Sequence, residues 1–248
     1  MTTITQTTNN RFIDIHSHII YGVDDGAKTK EESIKYLEEA LKQGIHSIIC
    51  TPHICHGNLE KIEKIKKHFL EIREYATSIG INLYLGTEIL ITSETADLLK
   101  RKRLRSLDGK KYVLVEFKRN ENMDIDSLIY MLEELMDIGY IPILAHPELY
   151  INYRDVSYIK RIRESGVLLQ LDATSIYKKT TTRKIYKFSK TLLREKLIDF
   201  VASDTHCNPK RNYITYNKAY KKISKKYGEE YANILFVENP KQILNIHN

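Results

Sequence analysis

The sequence predicts an α/β protein whose mainly parallel sheet closes, or nearly closes, into a barrel. Three observations support this prediction. Short apolar runs of strand length alternate with longer segments of helical periodicity. Seven such units fit into 248 residues, and glycines stand where helices should end before strands. Alternating strands and helices form parallel sheets, and seven units favour a barrel. An open, doubly wound sheet is the structural alternative.

The predicted strands are the seven apolar runs, several of which are rich in isoleucine and valine. In chain order they cover residues 12–15, 45–50, 83–86, 112–117, 141–145, 167–171 and 200–202. The predicted helices lie between and after them, over roughly 30–43, 59–79, 93–102, 124–138, 155–165, 183–196 and 213–227.

Several helix boundaries carry their own signals. Thr29 and Glu32 fit a capping box at the start of the first helix. The dipeptide Asn239-Pro240 predicts a cap followed by a proline in the first helical position. The glycines expected to end helices are Gly44, Gly80, Gly139 and Gly166.

Composition predicts one globular domain over residues 11–248, preceded by a loose tail over residues 1–10. Hydrophobic residues make up 42% of the chain and charged residues 29%, and no linker or internal repeat interrupts it. No apolar run approaches the ~20 residues that a membrane helix needs. The N-terminus lacks the basic and apolar regions of a secretory signal, so we expect a cytoplasmic protein.

Cysteine usage and charge narrow the function further. Three cysteines do not make a disulfide framework, and none is followed by arginine six positions later. The Cys-x5-Arg loop of thiol-dependent phosphatases is therefore excluded. The net charge of +7 favours acidic partners. Because the basic residues lie mostly in helical segments such as 221–226, we expect a solvated face there, and no nucleic-acid partner.

A metal-binding pattern follows the predicted strands. Histidine, aspartate or glutamate stands at or just after the end of every one of them. The candidates are His16, His18, His53, Glu88, Glu116, His146, Asp172, Asp204 and His206. In a parallel barrel all strand ends open on one face, so these side chains should converge. Imidazole and carboxylate together are ligands for Zn²⁺, Mn²⁺ or Fe²⁺.

Each candidate has an ordinary structural alternative when taken alone. His53 could cap a helix, Glu88 and Glu116 could be surface carboxylates, and His146-Pro147 could be a turn. The joint placement at strand ends favours a shared metal site, and the number of candidates favours more than one ion. Between Gly22 and Gly26, either Asp24 or Asp25 could turn inward as a further ligand.

The ordered motifs resemble those of the PHP (polymerase and histidinol phosphatase) superfamily. They are His16-Ser-His18, Asp24-Asp-Gly-Ala27, Thr51-Pro-His53, Gly86-Thr-Glu88, Val115-Glu116, Ala145-His-Pro-Glu148, Gln170-Leu-Asp-Ala-Thr-Ser175 and Ser203-Asp-Thr-His206. Within the superfamily, the second and seventh motifs resemble bacterial tyrosine-protein phosphatases of capsule and exopolysaccharide loci (CpsB/CapC type).

The resemblance implies a distorted (β/α)7 TIM-like barrel with a cluster of two or three ions, usually Mn²⁺, with Zn²⁺, Fe²⁺, Co²⁺ or Mg²⁺ left open. It implies one ion on His16, His18, Glu88 and Asp204. A second would lie on Glu88, Glu116 and His146, and a third on Asp25, His53 and His206. It thereby favours Asp25 over Asp24.

The implied reaction is hydrolysis of phosphotyrosine by a metal-bridged hydroxide, with Asp204 and His146 in the catalytic centre and Arg211 on the phosphate. The implied partner is a phosphotyrosine protein, a bacterial tyrosine autokinase of polysaccharide export, and a homo-oligomer is left open. Two positions depart from the family pattern. Leu149 stands where arginine is common, so Arg154 could bind substrate instead, and Asp172 stands where asparagine is common. We expect Asp172 to add negative charge at the mouth.

Two other functions compete with this interpretation. One is a small-metabolite phosphomonoesterase, such as a histidinol phosphatase, on the same fold. The other is a binding protein with a degenerate site, which Leu149 would favour. Nine inward ionisable groups would be costly to bury without metal, and this cost argues against the degenerate site.

Overall fold

The computed structural model describes residues 11–54, 59–118, 124–150, 155–207 and 213–246. These residues form nine strands, and every pairing between them is parallel. The strands are β1 (Phe12–Ser17), β2 (Ile45–Cys50), β3 (His53–Ile54), β4 (Asn82–Leu85), β5 (Glu88–Leu90), β6 (Tyr112–Glu116), β7 (Ile141–Ala145), β8 (Leu168–Asp172) and β9 (Phe200–Ala202).

The nine strands occupy seven positions around a barrel, because β2 continues into β3 and β4 continues into β5. β1, β2 and β4 form one sheet in that order, and β3, β5, β6, β7, β8 and β9 form another. Only Thr51-Pro52 separates β2 from β3, and only Gly86-Thr87 separates β4 from β5. Proline cannot donate a ladder hydrogen bond, which accounts for the first interruption. Hydrogen bonds from Gly86 N to Cys50 O and from Glu88 N to Pro52 O carry the pairing across both gaps.

Backbone contacts close the ring between the first and last strands. Ser17 and Thr205 form a parallel bridge. His18 N donates to Thr205 O, and Asp204 N donates to His16 O, each at 3.0 Å. The predicted seven-unit barrel is therefore confirmed, and the open sheet is excluded.

The helices of the described residues surround this barrel. They are α1 (Lys30–Lys42), α2 (Leu59–Ser78), α3 (Thr95–Lys100), α4 (Ile125–Asp137), α5 (Val156–Glu164), α6 (Arg183–Arg194), α7 (Tyr216–Tyr227), α8 (Glu229–Asn233) and α9 (Asn239–Leu244). The first seven match the predicted helices closely. Thr29 caps α1 by accepting from Glu32 N, although the Glu32 carboxylate accepts from Lys28 N instead of Thr29 N.

The prediction of a helix cap at Asn239 is wrong. The chain is already helical from Glu229, and a π-helical turn over Ile234–Glu238 joins α8 to α9. Asn239 itself has helical dihedral angles, and its side chain donates to Asp199 O at 2.8 Å. A widened turn is one way for a helix to continue through Pro240, which has no N–H to donate.

The barrel interior and the layer under the helices are separate apolar clusters. Alternate residues of each strand point inward, so Tyr112 and Leu114 lie inside while Val113 and Val115 face the helices. Along β6 the inward series continues to Glu116, and along β8 it runs from Leu168 through Gln170 to Asp172. The inward series thus changes from apolar to polar towards the strands' carboxyl ends. Among the described residues, no helix is long and apolar enough to cross a membrane.

Candidate metal centre

The carboxyl ends of the strands bring the predicted metal ligands together. Four overlapping sets of side chains have potential ligand atoms within 4.8 Å of one another. The sets are His18, Asp25, His53 and His206; His16, His18 and Asp204; His16, Glu88 and His146; and His53, Glu88 and Glu116. All nine ligands that the family resemblance implies, Asp25 among them, belong to a set. No other described residue does, so the strand-end candidate Asp172 is not among them.

Glu88 lies at the centre of the cluster and is fully buried. Its Oε2 atom is 3.1 Å from His16 Nε2, 3.2 Å from His18 Nε2 and 3.1 Å from His53 Nδ1. Its Oε1 atom is 2.9 Å from His146 Nε2. One carboxylate therefore faces four imidazoles, with three of them on the same oxygen. This arrangement suits a carboxylate shared between ions.

His16 and His18 present their Nε2 atoms to the same point. The two atoms are 3.1 Å apart, and Asp204 Oδ1 lies 3.4 Å from the first and 3.5 Å from the second. Two ligand atoms bound to one ion at about 2.1 Å are separated by roughly 3.0–3.4 Å. The three atoms therefore have the spacing of ligands around one cation.

The outer part of the cluster contains Asp25, His53 and His206. Asp25 Oδ1 lies 3.4 Å from His53 Nε2 and 3.3 Å from His206 Nε2. Glu116 Oε1 lies 3.2 Å from His53 Nδ1, so His53 has one ring nitrogen on each side of the cluster. The observed sets follow the implied grouping only in part, because Glu116 groups with His53 and Glu88 while His146 groups with His16 and Glu88. The residues that belong to two sets each are His16, His18, His53 and Glu88.

Asp24 holds two of the candidate ligands in place. Its side chain is 2% exposed, against 68% for Asp25. His18 Nδ1 donates to Asp24 Oδ2 at 2.8 Å, and His53 N donates to the same oxygen at 3.0 Å. A carboxylate on Nδ1 leaves the lone pair of Nε2 for a cation and orients the ring. The adjacent aspartates therefore differ in position, with Asp25 among the candidate ligands and Asp24 behind them.

A second supporting network lies behind His16. His16 Nδ1 donates to Gln170 Oε1 at 2.8 Å, and Gln170 Nε2 donates to Asp172 Oδ1 at 3.1 Å. Glu148 Oε1 accepts from Asp172 N at 3.0 Å. Asp172 is 1% exposed, so the expectation that it adds charge at the mouth is wrong. Its inward position on β8 places it behind His16 instead.

The loop that carries Asp24 and Asp25 approaches β1 closely at Gly26. A Cβ atom on Gly26 would lie 1.9 Å from His18 O. Because this oxygen belongs to the backbone, a change of side-chain conformation could not relieve the collision. Ala27 N donates to the same His18 oxygen at 3.0 Å. The predicted tight loop is therefore present. Glycine is needed at position 26 because the loop packs directly against the backbone of His18, a candidate metal ligand.

Two of the predicted catalytic residues have left-handed backbones. His146 has a φ of 36° and Asp204 a φ of 47°, each directly after a strand or one residue beyond it. Left-handed dihedral angles are uncommon outside glycine, although aspartate and histidine adopt them more often than most residues, and they cluster at functional sites. Here they turn both side chains into the cluster immediately past the strand ends.

The electrostatics of the cluster favour cations. Burial alone lowers the pKa of His16, but Glu88 and Asp204 outweigh it and raise that pKa to about 10. The same opposition of burial and carboxylates raises the pKa of His206 to about 11 and that of His53 to about 9. Burial raises the pKa of Glu88, yet His16 and its neighbours hold it well below the usual range. The carboxylates thus stabilise positive charge on the neighbouring histidines. A metal ion would supply that positive charge in place of the protons, so protons and metal compete for the same side chains.

The donor atoms of the cluster are of the kinds that bind divalent metal ions. They are imidazole nitrogens and carboxylate oxygens, with Nδ1 of His16 and His18 already occupied by hydrogen bonds and Nε2 directed inward. Buried Glu88 Oε2 makes no hydrogen bond of good geometry, although three imidazoles surround it. A cation satisfies such an oxygen, whereas an apolar or proton-only environment leaves it costly to bury.

A cavity of about 380 Å³ opens onto the outer part of the cluster. Its lining combines Asp25, His53, Glu116 and His206 with Leu90, Phe117 and Lys118. Tyr150 stacks on Phe117 with ring centroids 3.8 Å apart, and its hydroxyl donates to Ala145 O at 3.0 Å. Apolar side chains and the positively charged Lys118 thus lie beside the candidate metal ligands.

Sequence reasoning missed several residues of this site. The sequence offers Asp24 only as an alternative ligand and assigns no role to Gln170 or Lys118. The hydrogen bonds by which Asp24 and Gln170 support histidines leave no spacing signal in the sequence. The predicted substrate-binding residues Arg154 and Arg211 lie outside the described residues. Leu149, in the place of the family arginine, is partly buried on a short 3₁₀ turn after β7.

The closed parallel barrel and the imidazoles and carboxylates gathered at its strand ends fit the PHP-type phosphatases, a class of TIM-like barrels. Within this class the chain belongs to the CpsB/CapC family of capsular polysaccharide synthesis, whose family model matches residues 12–245.

Similarity to characterised members covers nearly the whole chain. It is 35% identical to the tyrosine-protein phosphatase CpsB of Streptococcus pneumoniae, over 94% of this chain and 98% of that protein. It is 33% identical to the tyrosine-protein phosphatase YwqE of Bacillus subtilis, over 94% of this chain and 91% of that protein. A crystal structure from work on these two proteins, described as metal-dependent tyrosine phosphatases, superposes with a TM-score of 0.81 at 31% identity, covering 95% of each chain.

Proposed function

We propose that this protein is a metal-dependent protein-tyrosine phosphatase of capsular or exopolysaccharide synthesis. The observation that carries the proposal is Glu88 in contact with four imidazoles at the mouth of the barrel. Two relatives with the same fold over nearly their whole length are named tyrosine-protein phosphatases, which supports the same substrate here. The proposed partner is a bacterial tyrosine autokinase of polysaccharide export, and the proposed location is the cytoplasm.

The proposed cofactor is Mn²⁺, in two or three ions held by the nine clustered side chains. Carboxylate and imidazole donors without a thiolate suit Mn²⁺ as well as Fe²⁺ and Zn²⁺. When bound, divalent ions at such a site lower the pKa of a coordinated water and neutralise charge on phosphate oxygens. Elemental analysis of the purified protein, followed by reconstitution with each metal in turn, tests the choice of Mn²⁺.

The protein's own residues hold and orient this centre. Asp24 and Gln170 fix the rings of His18 and His16 through their Nδ1 atoms. Asp204 and His146 are directed into the cluster by their left-handed backbones. A phenolate leaving group has a pKa of about 10, so it needs less protonation than an alkoxide would. The main demand on the site is to neutralise the charge on the phosphate.

The cavity beside the cluster offers a place for the substrate residue. Leu90 and Phe117 supply apolar surface that suits a tyrosine ring, and Lys118 supplies a positive charge. We propose that Lys118 contacts the phosphate or an acidic neighbour of the phosphotyrosine. Arg211 and Arg154 remain proposed substrate-binding residues on the strength of the sequence.

Phosphate release from two substrates, measured side by side, tests the proposed function. The substrates are a phosphotyrosyl peptide and histidinol phosphate, each with added Mn²⁺ and after chelation. We expect metal-dependent release from the peptide and little from histidinol phosphate. The Asp204→Ala variant should be inactive yet folded, and serves as the background control. Preference for histidinol phosphate would establish the metabolite phosphatase instead, and no release from either would favour a binding protein.

A further inference from the structure

A second cavity, separate from the metal centre, lies between the barrel wall and helices α2 and α3. Its volume is about 390 Å³, and it shares no lining residue with the cavity beside the cluster. Its apolar wall includes Ile54, Ile62, Leu85 and Leu99. Ile54 follows His53 in β3, and successive strand residues face opposite sides of a sheet. The cavity therefore lies on the outer face of β3, while His53 on the inner face of the same strand belongs to the metal-ligand cluster.

The rim of this cavity is strongly basic. Lys66, Lys102, Arg103 and Arg105 line it, and none of the described residues that line it is acidic. Three of these cations belong to the segment Lys100–Arg105, which reads Lys-Arg-Lys-Arg-Leu-Arg. The proposed phosphatase reaction uses none of them. Clustered positive charges around one cavity give it a positive potential that attracts anions.

Ion pairs within the protein neutralise only part of this charge. Lys66 pairs with Glu63 at 2.7 Å. Among the described residues, Lys102, Arg103 and Arg105 form no ion pair, whereas neighbouring Arg101 pairs with Asp97 at 2.9 Å. Arg105 Nε donates to Leu85 O at 3.0 Å, which holds its guanidinium at the cavity. The remaining guanidinium nitrogens stay available for a ligand.

The shape and polarity of the cavity indicate the ligand class. Binding sites for small molecules are concave and mostly apolar, with a few polar groups that fix orientation. Arginine recognises phosphate through paired N–H groups, and lysine adds a point charge. A bare phosphate ion would leave the apolar wall uncovered. We propose that this cavity binds a small organic phosphate, a dianion attached to an apolar or aromatic group.

Calorimetric titration with phenylphosphonate, which a phosphatase cannot hydrolyse, tests this proposal on the metal-loaded full-length protein. We expect two binding sites, one at the metal centre and one in the basic cavity. The double variant Lys102→Glu/Arg103→Glu should lose the second site or weaken it at least about tenfold. The matched control Lys100→Glu/Arg101→Glu changes the net charge equally, has no residue lining the cavity, and should keep both sites.

Methylphosphonate, which lacks the apolar group, should bind the cavity at least about tenfold more weakly than phenylphosphonate. Activity on the phosphotyrosyl peptide should be alike in both double variants, which separates this proposal from the proposed function. The proposal is overturned if the wild type binds one equivalent that disappears on chelation, or if both double variants bind like the wild type. Equal affinity for the two phosphonates would also overturn it, because surface charge alone would then account for binding.

Discussion

At the scale of single residues, the candidate metal centre contains two kinds of carboxylate, those placed as metal ligands and those that hold the ligands in position. Asp24 and Asp25 are adjacent and chemically identical, yet one is buried behind His18 and the other exposed at the cluster. The sequence could not separate them by spacing, since both lie in the same tight loop. Only the resemblance to the family selected Asp25 as the candidate ligand.

Replacing Asp24 by asparagine tests its positioning role. The Asp24→Asn variant keeps the side chain's size but loses the charge that fixes the tautomer and orientation of His18. We expect metal affinity to fall about 10–100-fold, the usual effect of losing an outer partner. Competition with a metal-binding dye measures the affinity. Asp155→Asn is a suitable control, because Asp155 caps α5 in solvent and asparagine caps equally well. Equal affinity in the two variants would contradict the role of Asp24.

The mouth residues permit a second test at this scale. Leu149 stands where the family commonly has arginine, and Lys118 is the described lysine at the cavity. We expect Lys118→Ala to raise KM for the phosphotyrosyl peptide severalfold, and Leu149→Arg to lower KM and offset that loss. Steady-state kinetics measures both effects. Lys187→Ala, at an exposed position of α6, controls for loss of charge. Unchanged KM in Lys118→Ala would remove Lys118 from substrate binding.

At the scale of elements, sequence patterns were most informative where burial is regular. The seven strand positions and first seven helices follow from apolar runs of fixed period and from glycines with left-handed φ at Gly44, Gly80, Gly139 and Gly166. Sequence patterns were less informative where tertiary contacts determine the local structure. Asn239 has the sequence of a cap, but the preceding turn is already helical and its side chain bonds to Asp199 instead.

Gly26 is the element-scale feature most open to test. In Gly26→Ala, the added Cβ would collide with the His18 carbonyl, so the loop bearing Asp24 and Asp25 must move. We expect lower metal content and lower activity as well as lower stability. Gly139→Ala is the control, since an added Cβ at Gly139 has nothing within 4 Å, although Gly139, unlike Gly26, has a positive φ of 88°. It should lose about 1–2 kcal/mol of stability from backbone strain while keeping its metal. Normal metal content in Gly26→Ala would refute the role of this loop.

At the scale of the whole molecule, protons and metal compete for the centre of the barrel. Without metal, His16, His53 and His206 have pKa values of about 10, 9 and 11, above the ordinary value of 6.5. A raised histidine pKa stabilises the fold fully below pH 6.5, and this contribution is lost as pH rises through the raised value. The depressed pKa of Glu88 acts oppositely, and its contribution is lost as pH falls below the ordinary glutamate range.

These signs predict how metal removal changes stability with pH. From pH 6.5 to 9 the chelated protein should become progressively less stable, as its histidine protons begin to leave. The metal-loaded protein should not, because metal affinity increases when ligands need not be deprotonated first. The difference in Tm between loaded and chelated protein should therefore widen over this range. Thermal unfolding at several pH values measures it, and a difference independent of pH would contradict the proposed competition.

The central claim is that nine side chains at the strand ends hold a multinuclear metal cluster around Glu88. Anomalous diffraction at the manganese edge, from crystals of the Mn²⁺-loaded protein, tests it most directly. We expect two or three anomalous peaks among these side chains, with Glu88 within coordination distance of at least one and with His16, His18 and Asp204 around another. Peaks elsewhere, or none beside Glu88, would contradict it.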